Sequence, residues 1–287
     1  MNKKISLLFI YLAAVFINTS GCASKQTASL PPLTLTPTGH HQIGKFVWFD
    51  LLTEDSKAAQ DFYMQLFGWR FAADNNTPDY IVIYSGDKPI GGIVPHEDKD
   101  PNIPESMWLV SLSVGDVDQA VSVAKALNGE VLDGPTDVKG RGRMAVIRDA
   151  EAAELVLIRA EGGDPPDAGI KSGEWLWVDL FTKDAEKALD FYGAVAGYSP
   201  QSVPTKDEDF IILLRRNSRA YGGVVKLHLD GVEPNWLPYI KVDDLMGTIS
   251  RAQKLGGTIL LRTENVAIIA DPSGGVFGIQ MVGGAKS

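Results

Sequence analysis

The sequence has few of the side chains that commonly carry redox, metal or nucleic-acid chemistry. It contains one cysteine and four histidines, and its 36 acidic residues outnumber its 27 basic ones. A single cysteine cannot form a disulfide within the chain. A net charge of -9, with no basic cluster longer than Arg215-Arg216, disfavours contact with phosphate backbones. We therefore expect no nucleic-acid partner.

Long apolar runs are also scarce. The run Ile5–Ile17, which follows Lys3 and Lys4, falls short of the roughly 20 residues that a membrane-spanning helix needs. A basic start, a short apolar stretch and small polar residues are typical of a cleaved export signal. The sequence therefore predicts a signal peptide over residues 1–21.

The lone cysteine lies directly after this signal. Residues Thr19–Cys22 resemble the lipobox of bacterial lipoproteins, in which the cysteine receives a diacylglycerol group. The resemblance predicts a cell-envelope protein whose membrane contact is a lipid on Cys22; the alternative is an ordinary signal with an incidental cysteine. Residues 22–42 are rich in Ser, Thr and Pro, which predicts an extended tether.

The rest of the chain repeats itself. Gly44–Asp55 and Gly173–Asp184 share Trp, Asp, Leu, Thr and Asp at matching positions, and the segments that follow match too. Such ordered matches indicate two copies of one domain, residues 43–160 and 172–284. Gly162–Pro166 reads as the linker between them.

Each copy also divides in two. In the first, strand Phe46–Leu52 leads into the amphipathic helix Ser56–Phe67, and three short strand patterns follow. The same order begins again at Met107. The predicted fold class is α+β, with a pair of βαβββ modules in each domain and four modules in all.

The helical segments carry a recognisable motif. The pattern Asp-x-x-x-Ala-x-x-Phe-Tyr-x-x-x-x-Gly occurs at Asp55–Gly68 and at Asp184–Gly197. It resembles the vicinal oxygen chelate superfamily of glyoxalases, bleomycin-resistance proteins and extradiol dioxygenases, and within it the tandem glyoxalase-like subgroup. The resemblance implies that each domain curls its sheet into a cup, which in the family usually holds a divalent metal. We name the cups of the first and second domains cup one and cup two.

The positions of the family's metal ligands can be compared with this sequence one by one. The places where the resemblance puts metal ligands hold apolar residues: Trp48, Leu109 and Val156 in the first domain, and Trp177, Leu237 and Gly278 in the second. These residues offer no lone pair to a metal. We therefore expect the inherited metal site to be lost and no cofactor to be present. A shifted site on Asp50, with Glu154, or on Asp179 stays open.

Strand alternation predicts what lines the cups instead. Val47, Phe49 and Leu51 should pack under the helices. The predicted ligand contacts are Trp48, Asp50 and Ser111 in cup one, and Trp177, Asp179, Tyr239 and Lys241 in cup two. Alternatively, the tryptophans merely fill the cavities and the aspartates bond neighbouring backbone. The basic loop Lys139–Arg143 should be solvated.

Three functions fit these features. The first is a lipoprotein that binds a small aromatic or apolar molecule in metal-free cups. The alternative is a metal-dependent lyase, isomerase or dioxygenase of the superfamily. The third is a non-catalytic surface interaction module with filled cups. The sequence identifies no catalytic residue and no oligomeric state.

Overall fold

The computed structural model describes residues 29–74, 77–96, 106–204, 210–227 and 232–282. The predicted signal peptide and Cys22 lie outside these ranges. No helix within them is long and apolar enough to cross a membrane. The first domain comprises β1 Phe46–Thr53, α1 Ser56–Phe67, β2 Arg70–Asp74, β3 Thr77–Ser85, β4 Lys88–Pro95, β5 Ser106–Ser113, α2 Val117–Ala126, β6 Glu130–Val138, β7 Gly142–Arg148 and β8 Glu154–Ala160.

The second domain repeats this order. It comprises β9 Trp175–Thr182, α3 Ala185–Ala196, β10 Ser199–Pro204, β11 Phe210–Arg216, β12 Arg219–Lys226, β13 Asn235–Val242, α4 Leu245–Lys254, β14 Thr258–Arg262, β15 Val266–Ala270 and β16 Val276–Met281. The strand–helix–strand–strand–strand order occurs four times, as predicted.

The spacing that the two copies of the helical motif share reflects helix capping. The Asp55 carboxylate accepts a hydrogen bond from the Ala58 backbone N–H at 2.8 Å and so caps the start of α1. Gly68 ends the helix with a φ of 73°, a left-handed conformation that favours glycine. Asp184 and Gly197 do the same for α3. The duplicated motif is therefore a pair of matched helix start and stop signals.

The strands of each domain form one mixed eight-stranded sheet. In the first sheet the order is β2-β3-β4-β1-β5-β8-β7-β6, and in the second it is β10-β11-β12-β9-β13-β16-β15-β14. The first strands of the two modules, β1 and β5, pair antiparallel at the centre, and each has a parallel neighbour, β4 or β8. The prediction of two tandem α+β domains is confirmed.

The domains are joined through their helical sides. The Tyr63 hydroxyl donates to the Asp271 carboxylate at 2.9 Å and accepts from Trp108 Nε1 at 3.0 Å. The second copy repeats both distances with Tyr192, Asp149 and Trp236. One continuous buried apolar cluster spans both domains. The Phe-Tyr pairs of the motif thus hold the two domains together and lie away from the cups.

One residue of β1 faces the opposite way from the prediction. Phe49 and Leu51 lie in the core shared by the domains, as expected, whereas Val47 lies with the side chains of cup one. The pairing of β1 with β5 shifts register between Phe46 and Trp48. A bulge adds a residue to one strand, so simple alternation fails there.

The segment predicted as a free tether packs on the first domain from residue 29 onward. The Leu30 N–H donates to the Lys139 carbonyl at 3.0 Å, and Thr38 N–H donates to the Gly162 carbonyl at 2.8 Å. Leu33 is only 3% exposed. Leu30 and Leu33 reach apolar surface inside cup one, and this burial accounts for the difference from a solvated linker.

Candidate functional site

Each cup is built around a Trp–Asp pair on its central strand. Trp48 Nε1 donates to Asp50 Oδ1 at 3.0 Å, and Trp177 Nε1 donates to Asp179 Oδ1 at 2.7 Å. The partners are two residues apart on β1 or β9, so they share a face of the strand. Both aspartates are largely buried. The aspartates therefore bond their neighbouring tryptophans.

Cup one adds a tyrosine and an arginine to its pair. The Tyr80 hydroxyl donates to Asp50 Oδ1 at 2.6 Å and accepts from Arg141 Nη2 at 3.0 Å. The guanidinium carbon of Arg141 lies 4.6 Å from the centre of the Trp48 ring, within cation–π range. Arg141 Nη1 is 4.0 Å from Asp50 Oδ2. Burial raises the pKa of Asp50, and the nearby guanidinium opposes that shift.

The prediction of a solvated basic loop at Lys139–Arg143 is wrong for its central residue. Arg141 is fully buried, and its Nε donates to the Pro31 carbonyl at 2.8 Å. The long strand β6 and the turn after it bring the side chain into cup one. A buried guanidinium needs partners of this kind, and these lie 61 and 110 residues away in sequence, at Tyr80 and Pro31. Local sequence carries no signal for such contacts.

Cup one is filled by protein. Its interior forms a buried apolar cluster of Leu33, Val47, Trp48, Leu52, Tyr80, Val82, Leu109, Leu132, Val138, Met144, Val146, Val156, Ile158 and Ala160. Trp48 and Ser111 have no exposed surface. The predicted ligand contacts Trp48, Asp50 and Ser111 are thus enclosed, and ligand contact at these positions remains a prediction.

Cup two holds its aspartate differently. The Asp179 carboxylate accepts a hydrogen bond from Trp177, and the Tyr239 hydroxyl lies near enough to affect its pKa. Burial raises its pKa to about 6, and the neighbouring Trp177 and Tyr239 oppose the shift. Tyr239 occupies the register position that Ser111 has in cup one, opposite the tryptophan. Gly278 makes room for it, since a Cβ there would lie 2.1 Å from the Tyr239 ring.

Cup two is more exposed than cup one at two equivalent positions, although Asp179 and Tyr239 are buried. β6 pairs with β7, and β14 pairs with β15. Each pairing has a bulge at the same place, at Leu132 in β6 and at Leu260 in β14, so these two leucines are equivalent. Leu132 is 2% exposed and Leu260 is 55% exposed. Trp177 is half-buried, whereas Trp48 is fully buried. Within the described part of the second domain, no buried cluster matches the filling of cup one.

Lys241, the fourth predicted contact in cup two, is engaged at the rim. Its ammonium donates to the carbonyl of Ile170, which lies between the two domains in sequence, at 3.0 Å. Tyr239, two residues earlier on β13, reaches Asp179. The structure thus brings together Trp177, Asp179 and Tyr239, and it holds the Lys241 ammonium against Ile170. Ligand contact by these four residues remains a prediction.

The inherited metal positions do converge, but their side chains do not suit a metal. Trp48, Leu109 and Val156 lie in one cluster inside cup one. In cup two, the Tyr239 ring fills the space beside Gly278. Glu154, the suggested second carboxylate, hydrogen-bonds Arg148. No group of three His, Cys, Asp or Glu residues in the described ranges could hold a metal. The residues present therefore do not fit the family's metal site.

A separate cleft of about 290 Å³ lies between the domains, beside the linker. Its walls include Trp175, Trp177 and Tyr221, and charged groups such as Lys88 and Glu174 border it. Lys88 Nζ lies 3.0 Å from the Glu174 carboxylate, so these two charges neutralise each other. Trp177 of cup two therefore also borders this cleft.

Comparison with known proteins agrees with this architecture. Residues 45–155 match the Glyoxalase/Bleomycin resistance protein/Dioxygenase superfamily. The match covers most of the first domain, and the chain is similar to this superfamily there. CFP32 of Mycobacterium tuberculosis, a protein provisionally named a glyoxylase, is 29% identical over 81% of this chain and 92% of its own length. The anthracycline biosynthesis protein DnrV of Streptomyces peucetius is 28% identical over 82% of this chain and 92% of its own length.

Solved structures of this superfamily share the fold at lower identity. The Mn(II)-bound glyoxalase of Novosphingobium aromaticivorans superposes with a TM-score of 0.58 at 15% identity, covering 84% of this chain and 82% of that one. Homoprotocatechuate 2,3-dioxygenase of Arthrobacter globiformis gives 0.58 at 13% identity, covering 87% and 82%. At such identities the likeness establishes the fold alone.

Proposed function

We propose that this protein binds a small molecule with an aromatic or apolar body in cup two. The observation that carries the proposal is the contrast between Leu260, which is 55% exposed, and its buried counterpart Leu132. Leu260 and the half-buried Trp177 give this cup exposed apolar surface, which ligand sites commonly have. Trp177 supplies an aromatic wall, and Asp179 and Tyr239 supply the polar groups that orient a ligand.

The first domain serves as a closed scaffold in this proposal. Its cup is occupied by Arg141 and Leu33, and its helices carry the second domain through the shared core. The names of the relatives point to glyoxalase chemistry or antibiotic biosynthesis. The apolar residues at the inherited ligand positions favour binding over metal-dependent catalysis in this chain.

A fluorescent probe tests cup two directly. N-phenyl-1-naphthylamine is a neutral aromatic whose emission rises in apolar sites, and we expect it to bind once per chain. Leu260→Glu places a charge on the open wall and should weaken binding about tenfold or more. Leu35→Glu is the matched control, because Leu35 is 68% exposed on the N-terminal segment. Equal binding to both variants would place the probe elsewhere and overturn the proposal.

Metal analysis separates binding from the family's metal chemistry. Dialysed protein should contain no stoichiometric Zn, Ni, Mn or Fe, and a chelator should leave its melting temperature unchanged. A metal present near one per domain, and lost in Asp50→Ala or Asp179→Ala, would support a shifted site and restore the enzyme hypothesis.

The location of the protein is part of the proposal. Cys22 follows the apolar run of the predicted signal, where a lipid anchor would attach it to the cell envelope. We expect Cys22→Ser protein to remain unprocessed or to leave the membrane fraction. Normal processing and membrane retention of this variant would contradict the lipoprotein assignment.

A further inference from the structure

We infer that the ligand of cup two carries a cationic head group, an amidinium, guanidinium or protonated amine, which lies beside Asp179 on the face of Trp177. This inference rests on the proposed function and specifies its ligand class. The evidence for it comes from cup one, where Arg141 already lies beside the Trp48–Asp50 pair.

Cup one shows what its Trp–Asp pair accommodates. The planar guanidinium of Arg141 lies 4.6 Å from the Trp48 ring centre and 5.4 Å from the Tyr80 ring centre. It hydrogen-bonds the tyrosine hydroxyl that also bonds Asp50. Arg141 is thus an internal cation held between an aromatic face and a carboxylate, as an arginine or amine ligand would be.

Cup two keeps the pair but has a shorter hairpin at the equivalent place. Strand β6 has nine residues and β14 has five, and the turn after β14 is Thr263–Asn265. This turn carries no arginine into the cup. Among the described residues, no salt bridge reaches Asp179. The second domain therefore retains the aromatic face and the carboxylate without the internal cation.

Electrostatics favours a cation from outside at this position. A buried carboxylate is costly unless a charge or several hydrogen bonds compensate it. Among the described groups, Asp179 accepts a hydrogen bond from Trp177 and has the Tyr239 hydroxyl nearby, with no cation beside it. Tyr239 reaches this carboxylate from β13, as Tyr80 reaches Asp50 from β3. An organic cation with an apolar body would complete the arrangement seen in cup one and cover the exposed Leu260.

Three ligands of one shape test the charge requirement. Benzamidine, benzamide and benzoate share a phenyl ring and a planar head that is cationic, neutral or anionic. We expect calorimetric titration of the full chain at pH 8 to show benzamidine binding at least about tenfold more tightly than benzamide, with benzoate weakest. Asp179→Asn should remove this preference by weakening benzamidine binding to the level of benzamide.

The outcomes separate this inference from the proposed function. The cationic ligand is overturned if the three ligands bind equally, or if the preference for benzamidine survives in Asp179→Asn. In either case, binding of N-phenyl-1-naphthylamine would still support a ligand site in cup two. Failure of N-phenyl-1-naphthylamine to bind the wild-type protein overturns both the cationic ligand and the proposed function. A cooperative thermal unfolding transition shows that Asp179→Asn is folded, so loss of the preference in that variant supports the inference.

Discussion

The two cups began as copies of one structure and differ in what occupies them. Both keep a tryptophan and an aspartate two residues apart on the central strand, joined by a hydrogen bond. In cup one, a nine-residue strand and its turn deliver Arg141, and the N-terminal segment delivers Leu33. In cup two, a five-residue strand leaves Leu260 facing solvent.

This difference shows how a duplicated fold can divide its roles. A filled cup contributes buried apolar area and hence stability, whereas an open cup forgoes that stability and keeps a surface for a ligand. The equivalent pairs Leu132 and Leu260, and Asp50 and Asp179, allow each half of this comparison to be tested within one chain.

The largest expected difference is at the leucine pair. Leu132→Ala removes a buried side chain from the filling of cup one and should lower the free energy of unfolding by about 3 kcal/mol. Leu260→Ala removes an exposed side chain and should change it by less than about 0.5 kcal/mol. Urea denaturation of both variants measures the contrast. Similar losses at the two positions would show that cup two is as closed as cup one.

A smaller loss is expected at the aspartate of cup one. Asp50→Asn removes the carboxylate beside Arg141, which leaves a buried guanidinium without a counter-charge and should cost about 2 kcal/mol. The double variant Asp50→Asn with Arg141→Met removes the unpaired charge and should recover part of the loss. If Asp50→Asn alone were neutral, the pair would contribute nothing to the closure of cup one.

The same substitution in cup two should act in the opposite direction. Because the pKa of Asp179 rises from 3.8 to about 6 on folding, the folded state disfavours its ionised form, and stability falls as pH rises through that interval. Asp179→Asn should therefore stabilise the protein by roughly 1 to 3 kcal/mol at pH 8 and by nothing below pH 4. Thermal unfolding at both pH values measures this, and destabilisation at pH 8 would indicate that a cation already pairs with Asp179.

The sequence predicted the architecture well because the repeat, the helix caps and strand alternation are all local patterns. Asp55 and Gly68 mark a helix in any context, and alternation correctly placed Trp48 and Asp50 on one face. The contents of cup one could not be predicted in this way. Arg141 enters it through partners far away in the chain, and no local pattern shows that a turn folds inward.

The N-terminal segment illustrates the same limit. Its Ser, Thr and Pro content is typical of a solvated linker, yet Leu33 finds an apolar surface assembled from β1, β3 and β5–β8. The bulge that turns Val47 toward cup one is also set by pairing with β5. Contacts between distant strands decide both features, and an unaligned sequence does not record them.

The central claim is that a ligand enters cup two and leaves cup one undisturbed, and tryptophan indole resonances test it most directly. In ¹⁵N-labelled protein, with the signals of Trp48 and Trp177 assigned by Trp→Phe variants, we expect titration with benzamidine to shift the Trp177 signal to saturation at one ligand per chain. The Trp48 signal should stay in place. A shift of Trp48 together with Trp177, or two ligands bound per chain, would contradict the account.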